Sequence, residues 1–174
     1  MFDADQEPVS SGVVRGAPAW RLWAATVLRL VLAGVLGVAG ALKVPDPAES
    51  VRAVRAYDLL PEALVPAIGY GLPLLELAVA VLLLLGFFTR WAAAVAALLM
   101  AAFVFGIAAA WTRGLTIDCG CFGGGGQVGA ADTRYTQEIA RDAALLVAAL
   151  LLVRWPASRL ALDPAPADDP KESP

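Results

Sequence analysis

Apolar residues fall in long unbroken runs along this chain rather than at alternating or every-third positions. Four runs approach the roughly 20 residues needed to cross a hydrocarbon core about 30 Å thick at 1.5 Å per helical residue. They are Trp20–Leu42, Val65–Phe88, Trp91–Trp111 and Ile139–Trp155. Their continuous use of Ala, Leu and Val, without the alternation of a transmembrane barrel, predicts helices. The expected fold class is all-α: an integral membrane, antiparallel four-helix bundle over residues 20–155. The flanks, 1–19 and 156–174, mix acids with Pro, Ser, Gly and Ala and lack the apolar surface to order themselves. They are expected to be disordered tails.

The first run has a competing reading as a signal peptide, because Arg15 and Arg21 precede it and Ala39-Gly40-Ala41 resembles a cleavage site. It is longer than a usual signal core. Gly34, Gly37 and Gly40 also recur at i, i+3 and i+6, where small residues let a second helix approach. A retained, packing helix is expected.

Between the first two runs, Pro45 and Pro47 stop the helix. Val51, Val54 and Tyr57 then recur at helical spacing among Glu49, Arg52 and Arg55, which predicts a short helix on the membrane surface. That helix is either a lid over the bundle end or a partner-docking surface.

Composition agrees with this setting: 59% of residues are hydrophobic and 17% charged. The net charge of −3 gives no basic patch, and no nucleic-acid motif is visible. The partner expected from this setting is the lipid bilayer.

Four spans place both termini on one side with Arg15, Arg21, Arg90, Arg154 and Arg159. Lys43, Arg52, Arg55, Arg113 and Arg134 lie on the other, a nearly level positive-inside count. The cysteines favour one orientation. A redox dithiol without a metal partner fits an oxidising compartment. The expected location is the bacterial cytoplasmic membrane, with cytoplasmic termini and an extracytoplasmic cysteine loop.

Two intramembrane charges stand out. Arg29 in the first run and Glu76 in the second lie about 13 Å and about 18 Å from the same membrane edge at 1.5 Å per residue. An unpaired charge is costly there, so the two are expected to face each other. They form a register-fixing ion pair, or Glu76 accepts protons or contacts a quinone beneath the thiols.

The only two cysteines, Cys119 and Cys121, sit in Ile117-Asp118-Cys119-Gly120-Cys121-Phe122-Gly123. One-residue spacing closes a very small ring, which Gly120 relieves, and a strained ring is easily reduced. A bridge this short removes little unfolded-state entropy and makes a poor staple. A redox-active dithiol and a pair of structural cysteines both remain open.

The glycines at 123–126 lack the Lys-Ser or Lys-Thr of a phosphate loop and no strand feeds them, so flexibility or close packing is expected. With no histidine, two thiols and Asp118 make a poor zinc set, and no metal is expected. A thiolate here needs a cation or a helix N-terminus. Arg113, Arg134 and Arg141 are the candidate cations, and Asp132 or Thr133 is the expected cap of the last helix. Arg141 and Asp142, just inside that helix, either pair locally to anchor the loop or supply a cation to the thiolate.

Five segments together resemble the MauE family of methylamine-utilisation membrane proteins, within the wider DoxX-like four-helix membrane proteins. They are Gly37-Val38-Ala39-Gly40-Ala41-Leu42-Lys43, Tyr57-Asp58-Leu59-Leu60-Pro61, Leu72-Pro73-Leu74-Leu75-Glu76, Asp118-Cys119-Gly120-Cys121-Phe122-Gly123 and Arg141-Asp142. The resemblance covers about Leu28 to Trp155. It implies a cytoplasmic-membrane protein tied to thiol redox or to maturation of exported proteins; MauE is linked to production of the disulfide-rich small subunit of methylamine dehydrogenase. By carry-over, Cys119 and Cys121 are the redox pair, supported by Asp118, Gly120, Phe122, Gly123, Arg141 and Asp142. Arg29 and Glu76 are the buried polar core. Two functions follow as expectations. One is a membrane thiol–disulfide oxidoreductase whose partner is an exported thiol or disulfide client or a redox partner protein, with no certain cofactor and a membrane quinone as candidate electron acceptor. The other is a non-enzymatic assembly factor with structural cysteines.

Overall fold

A computed structural model describes residues 18–162. The tail residues before 18 and after 162 lie outside the described residues. Five α-helices and a minimal β-ladder follow one another: α1 (Ala19–Lys43), α2 (Pro47–Ala56), α3 (Val65–Leu85), α4 (Thr89–Thr112), β1 (Ile117–Asp118), β2 (Gly126–Gln127) and α5 (Tyr135–Arg154). The described residues are therefore not purely helical, and they carry five α-helices rather than four. The additional one, α2, occupies the first loop.

By length and composition, α1, α3 and α4 are able to cross a membrane. The fourth expected span, α5, carries Glu138, Arg141 and Asp142 in its first turns, and this polar opening sets it apart. The outer surface of the apolar helices is itself apolar, with Val27, Val31, Leu74, Leu84, Leu98 and Phe105 exposed. Such a surface suits lipid and not water. Trp20, Trp91 and Trp111 stand exposed near helix ends, the positions favoured at a bilayer interface.

Small residues set the packing. Gly37 faces Ala80, and a Cβ on Gly40 would come within 2.8 Å of the Leu77 side chain and 2.9 Å of the Pro73 carbonyl. The first glycine of the expected stripe, Gly34, faces open space. α1 and α3 thus run antiparallel at close approach. Ala92, Ala93 and Ala96 of α4, with Ala148 and Ala149 of α5, form an equally small-residue core. α4 also packs on α3, and α5 on α1.

α2 begins at Asp46, whose carboxylate accepts from the Glu49 amide at 3.0 Å, with Pro47 at the first helical position. It lies against α3, where Gly69 admits the Val51 backbone. α3 ends at Gly86, whose left-handed φ of 64° starts the turn into α4.

The Arg29–Glu76 pair expected from the sequence does not form. Fourteen residues separate Arg29 from Lys43, about 21 Å along α1, and the antiparallel register puts Arg29 level with Gly86. Its guanidinium donates to the carbonyls of Arg159 (3.3 Å) and Leu160 (3.1 Å). Glu76 pairs instead with Lys43 at 2.7 and 2.8 Å, both side chains buried. Lys43 was expected in the loop. A helical side chain leans toward its own N-terminus, which carries the ammonium back beside Gly40 and onto Glu76.

Rather than trailing away from Pro156, the segment through Leu162 folds back over the bundle. The Arg159 amide donates to Thr26 Oγ1 (2.9 Å) and the Leu162 amide to the Leu85 carbonyl (3.3 Å). Arg159 lies over the Trp23 ring and Arg21 over Trp155.

Candidate functional site

The thiols sit at the opposite end of the bundle from Arg29, in the loop between α4 and α5. That loop is closed at its base by the antiparallel pairs Ile117–Gln127 and Asp118–Gly126. Phenolic oxygens hold its backbone. Tyr135 donates to the Leu115 carbonyl (2.6 Å) and accepts from the Ile117 amide (2.9 Å), and Tyr57 donates to the Cys119 carbonyl (3.1 Å). Gly106 makes room for the Tyr57 ring, and Arg113 ties the α2 exit by donating to the carbonyls of Tyr57 and Asp58.

Two glycines of the loop let it pack closely on α2. Gly120 and Gly125 both have positive φ, and a Cβ on either would come within 2.8 Å or 2.5 Å of Ala53 Cβ on α2. Within the run 123–126, Gly125 is the position where close backbone approach is observed. Asp118 closes a local turn by accepting from the Gly120 amide at 2.9 Å.

Both thiols are free and buried, Cys119 9% and Cys121 6% exposed. The Cys121 amide donates to Cys119 Sγ at 3.3 Å, and Cys121 Sγ points its proton at Asp142 Oδ2, 3.9 Å away. The two thiols are electrostatically unequal. Hydrogen bonding from Cys121, with help from Arg141, holds Cys119 below the ordinary thiol value against the opposing effect of burial. Cys121 is pushed up by its side-chain contact with Cys119, by burial and by the facing Asp142 carboxylate. Ionisation is therefore favoured at Cys119 and opposed at Cys121.

Arg141 Nε donates to Asp142 Oδ1 at 2.8 Å while its guanidinium stacks over Phe122, 4.7 Å from the ring centre. The local pair and the cation near the thiols are thus one arrangement. The last helix starts later than expected. Residues 130–132 form a single tight 3₁₀ turn, and α5 begins at Tyr135 without a side-chain cap. Sequence reading passed over Glu138, which joins Asp118 and Cys119 in a group of potential metal-ligand atoms within 4.8 Å of one another. Two carboxylates and one thiolate at that distance repel unless a proton or cation is shared among them. The helical i, i+4 relation of Glu138 to Asp142 is the signal that marks it.

A small cavity lies inward of Cys121. It is lined by Cys121, Phe122, Arg141 and Asp142 on the loop side and by Glu76 on the bundle side. Its volume is about 10 Å³, near the lower bound for a single water. Glu76 and Cys121 thus line one cavity, whereas Arg29 is remote from it.

The family model for methylamine utilisation protein MauE matches residues 21–154. The chain belongs to the MauE family. A curated MauE relative, the methylamine utilization protein MauE of Methylophilus methylotrophus, is 43% identical over 93 residues, covering 53% of this chain and 49% of the relative. The chain thus aligns with about half the length of that relative. No solved structure matches. The MauE match takes in all five helices and both thiols, so the thiol loop, the Lys43–Glu76 pair and the cavity between them all lie inside the family region.

Proposed function

We propose that this MauE-family membrane protein is a thiol–disulfide exchange protein that forms or relays disulfides in exported proteins. The observation that carries the reading is the inequality of two adjacent buried thiols: Cys119 Sγ accepts from the Cys121 amide and is favoured to ionise, while Cys121 faces the Asp142 carboxylate and is not. Attack begins from the more readily ionised thiol, and its neighbour resolves the mixed disulfide once deprotonated. In the oxidising direction, a client thiolate attacks the Cys119–Cys121 disulfide, forming a mixed disulfide and releasing one cysteine. A second client thiolate then breaks the mixed disulfide. The client loses two electrons, and the pair ends as the dithiol, with a thiolate favoured on Cys119.

The architecture that fits this role has α1, α3, α4 and α5 as four antiparallel spans, with the bacterial cytoplasmic membrane as the setting. The thiol loop faces outward and both termini face the cytoplasm. Burial of Lys43 in an ion pair removes it from the outer loops and leaves Arg52, Arg55, Arg113 and Arg134 there, which tips the charge balance toward cytoplasmic termini. By family, the exported client belongs to methylamine metabolism. A membrane quinone is the acceptor class for re-oxidation, yet the cavity beside Glu76 is far smaller than the roughly 300 Å³ of a ligand pocket.

A scaffold reading draws on the burial of both thiols and the tight packing of their loop. Complementation in a MauE-deficient host separates the two. The Cys119→Ser, Cys121→Ser double variant is expected to reach the membrane at normal levels and leave the client unoxidised. Full activity without thiols would establish the scaffold instead.

A further inference from the structure

We propose that Glu76, held by Lys43, is the proton-exchanging partner of the thiol pair, linked to Cys121 and Asp142 by one water in the cavity between them; the proposal rests on the exchange function above. The groups around this enclosure come from every packed element. The loop supplies Cys121, α5 supplies Asp142 with Arg141 bonded to it, α3 supplies Glu76, and Lys43 of α1 bonds Glu76 from the far side. α4 contributes only Met100 and Phe103. On the outer side of the thiols stand Asp118 and Glu138, which approach Cys119 rather than the cavity.

A structural ion pair needs no enclosure shared with a thiol. Here a fully buried carboxylate, already neutralised by an ammonium, faces a water-sized space whose opposite wall is a thiol and a second neutralised carboxylate. The four polar groups, Glu76, Cys121, Arg141 and Asp142, supply the two to four partners a buried water needs. Cys121 has to lose its proton before it can resolve a mixed disulfide, because the thiolate and not the thiol attacks. Its hydrogen bond delivers that proton to Asp142, and the water carries a proton on to Glu76. The net change is Cys121–SH plus Glu76–COO⁻ becoming Cys121–S⁻ plus Glu76–COOH. The new thiolate attacks Cys119 Sγ, the Cys119–Cys121 bond forms, and the bond to the departing partner sulfur breaks. Lys43 ties the carboxylate in place and is a positioning residue.

The full-length protein in lipid nanodiscs, reacted with 4,4′-dithiodipyridine, resolves the two steps. Attack by Cys119 releases one thiopyridone and ring closure by Cys121 releases the second, so the probe takes up the two electrons the thiols lose. The neutral pair Lys43→Met with Glu76→Gln avoids stranding a charge. It is expected to leave the first phase unchanged, to slow the second at least about tenfold, and to abolish the solvent deuterium effect on the second phase. Glu76→Asp with Lys43 retained restores the second phase. Equal second phases in wild type and neutral variant overturn the proposal while leaving the exchange function standing. Parallel slowing of both phases makes the pair merely structural and overturns it also. A wild-type protein that releases one thiopyridone and never closes its ring removes the exchange function, and the proton role falls with it.

Discussion

The two ends of the helix bundle each bury a cation, and they treat it differently. At the end formed by the start of α1 and the α3–α4 turn, the Arg29 guanidinium is met by main-chain carbonyls of the segment folded back after α5. These carbonyls tie the returning segment to α1. At the other end, Lys43 is met by a carboxylate that looks into a cavity shared with a thiol and another carboxylate. Three of the polar side chains lining that space, Glu76, Cys121 and Asp142, are acids that can exchange a proton. Burial of charge is common to both ends, and only at the Lys43 end does the buried pair border a cavity that reaches a thiol.

The largest expected break of this contrast is at the ion pair. Removing one partner, as in Glu76→Ala, strands the Lys43 ammonium and is expected to cost roughly 3–5 kcal/mol. Replacing both with neutral residues is expected to cost much less. Thermal unfolding in detergent reads both, and equal losses would mean that the pair's geometry rather than its charge balance matters. At the Arg29 end, Gly86→Ala sets a methyl against Arg29 and Ala161 at a φ of 64°. An expected loss of about 1–3 kcal/mol follows, with no change in alkylation of Cys119. A changed alkylation rate would show that the two ends communicate. The finest distinction is between the thiols themselves. Iodoacetamide labelling, followed by peptide mapping across pH, is expected to modify Cys119 below the ordinary thiol value of about 8.5 and Cys121 only above it. The sign follows from the directions given: the group pushed down is ionised first as pH rises, and the group pushed up keeps its proton longest. Superimposed profiles would remove the inequality on which exchange depends.

The sequence was most legible where a single physical rule governs. Continuous apolar runs marked α1, α3 and α4, and the Pro45/Pro47 break followed by a helical repeat marked the position of α2. The cysteine spacing pointed to the thiol loop. What escaped was register. Arg29 and Glu76 had compatible depths on a one-dimensional count, but Gly37 and Gly40 lock α1 against α3 so that Lys43, read as a loop charge, reaches Glu76 first. The start of α5 escaped because Asp132 and Thr133 are good cap residues that the chain uses in and beside a 3₁₀ turn. Glu138, Tyr57 and Tyr135 were hidden because their contacts span elements distant in sequence or depend on a loop with no repeating pattern.

The Lys43–Glu76 bond also bears on how the chain enters the membrane. Each residue alone opposes insertion; on insertion scales a Lys or Asp at mid-span costs about 2.5–3.5 kcal/mol. The lysine closes the first long helix, and its counter-charge is not synthesised until 33 residues later. α1 and α3 therefore gain by entering lipid as a hairpin, with α2 waiting at the surface between them. A nascent chain ending before Glu76 lacks the counter-charge that Lys43 finds in the folded protein, and the second apolar run supplies it.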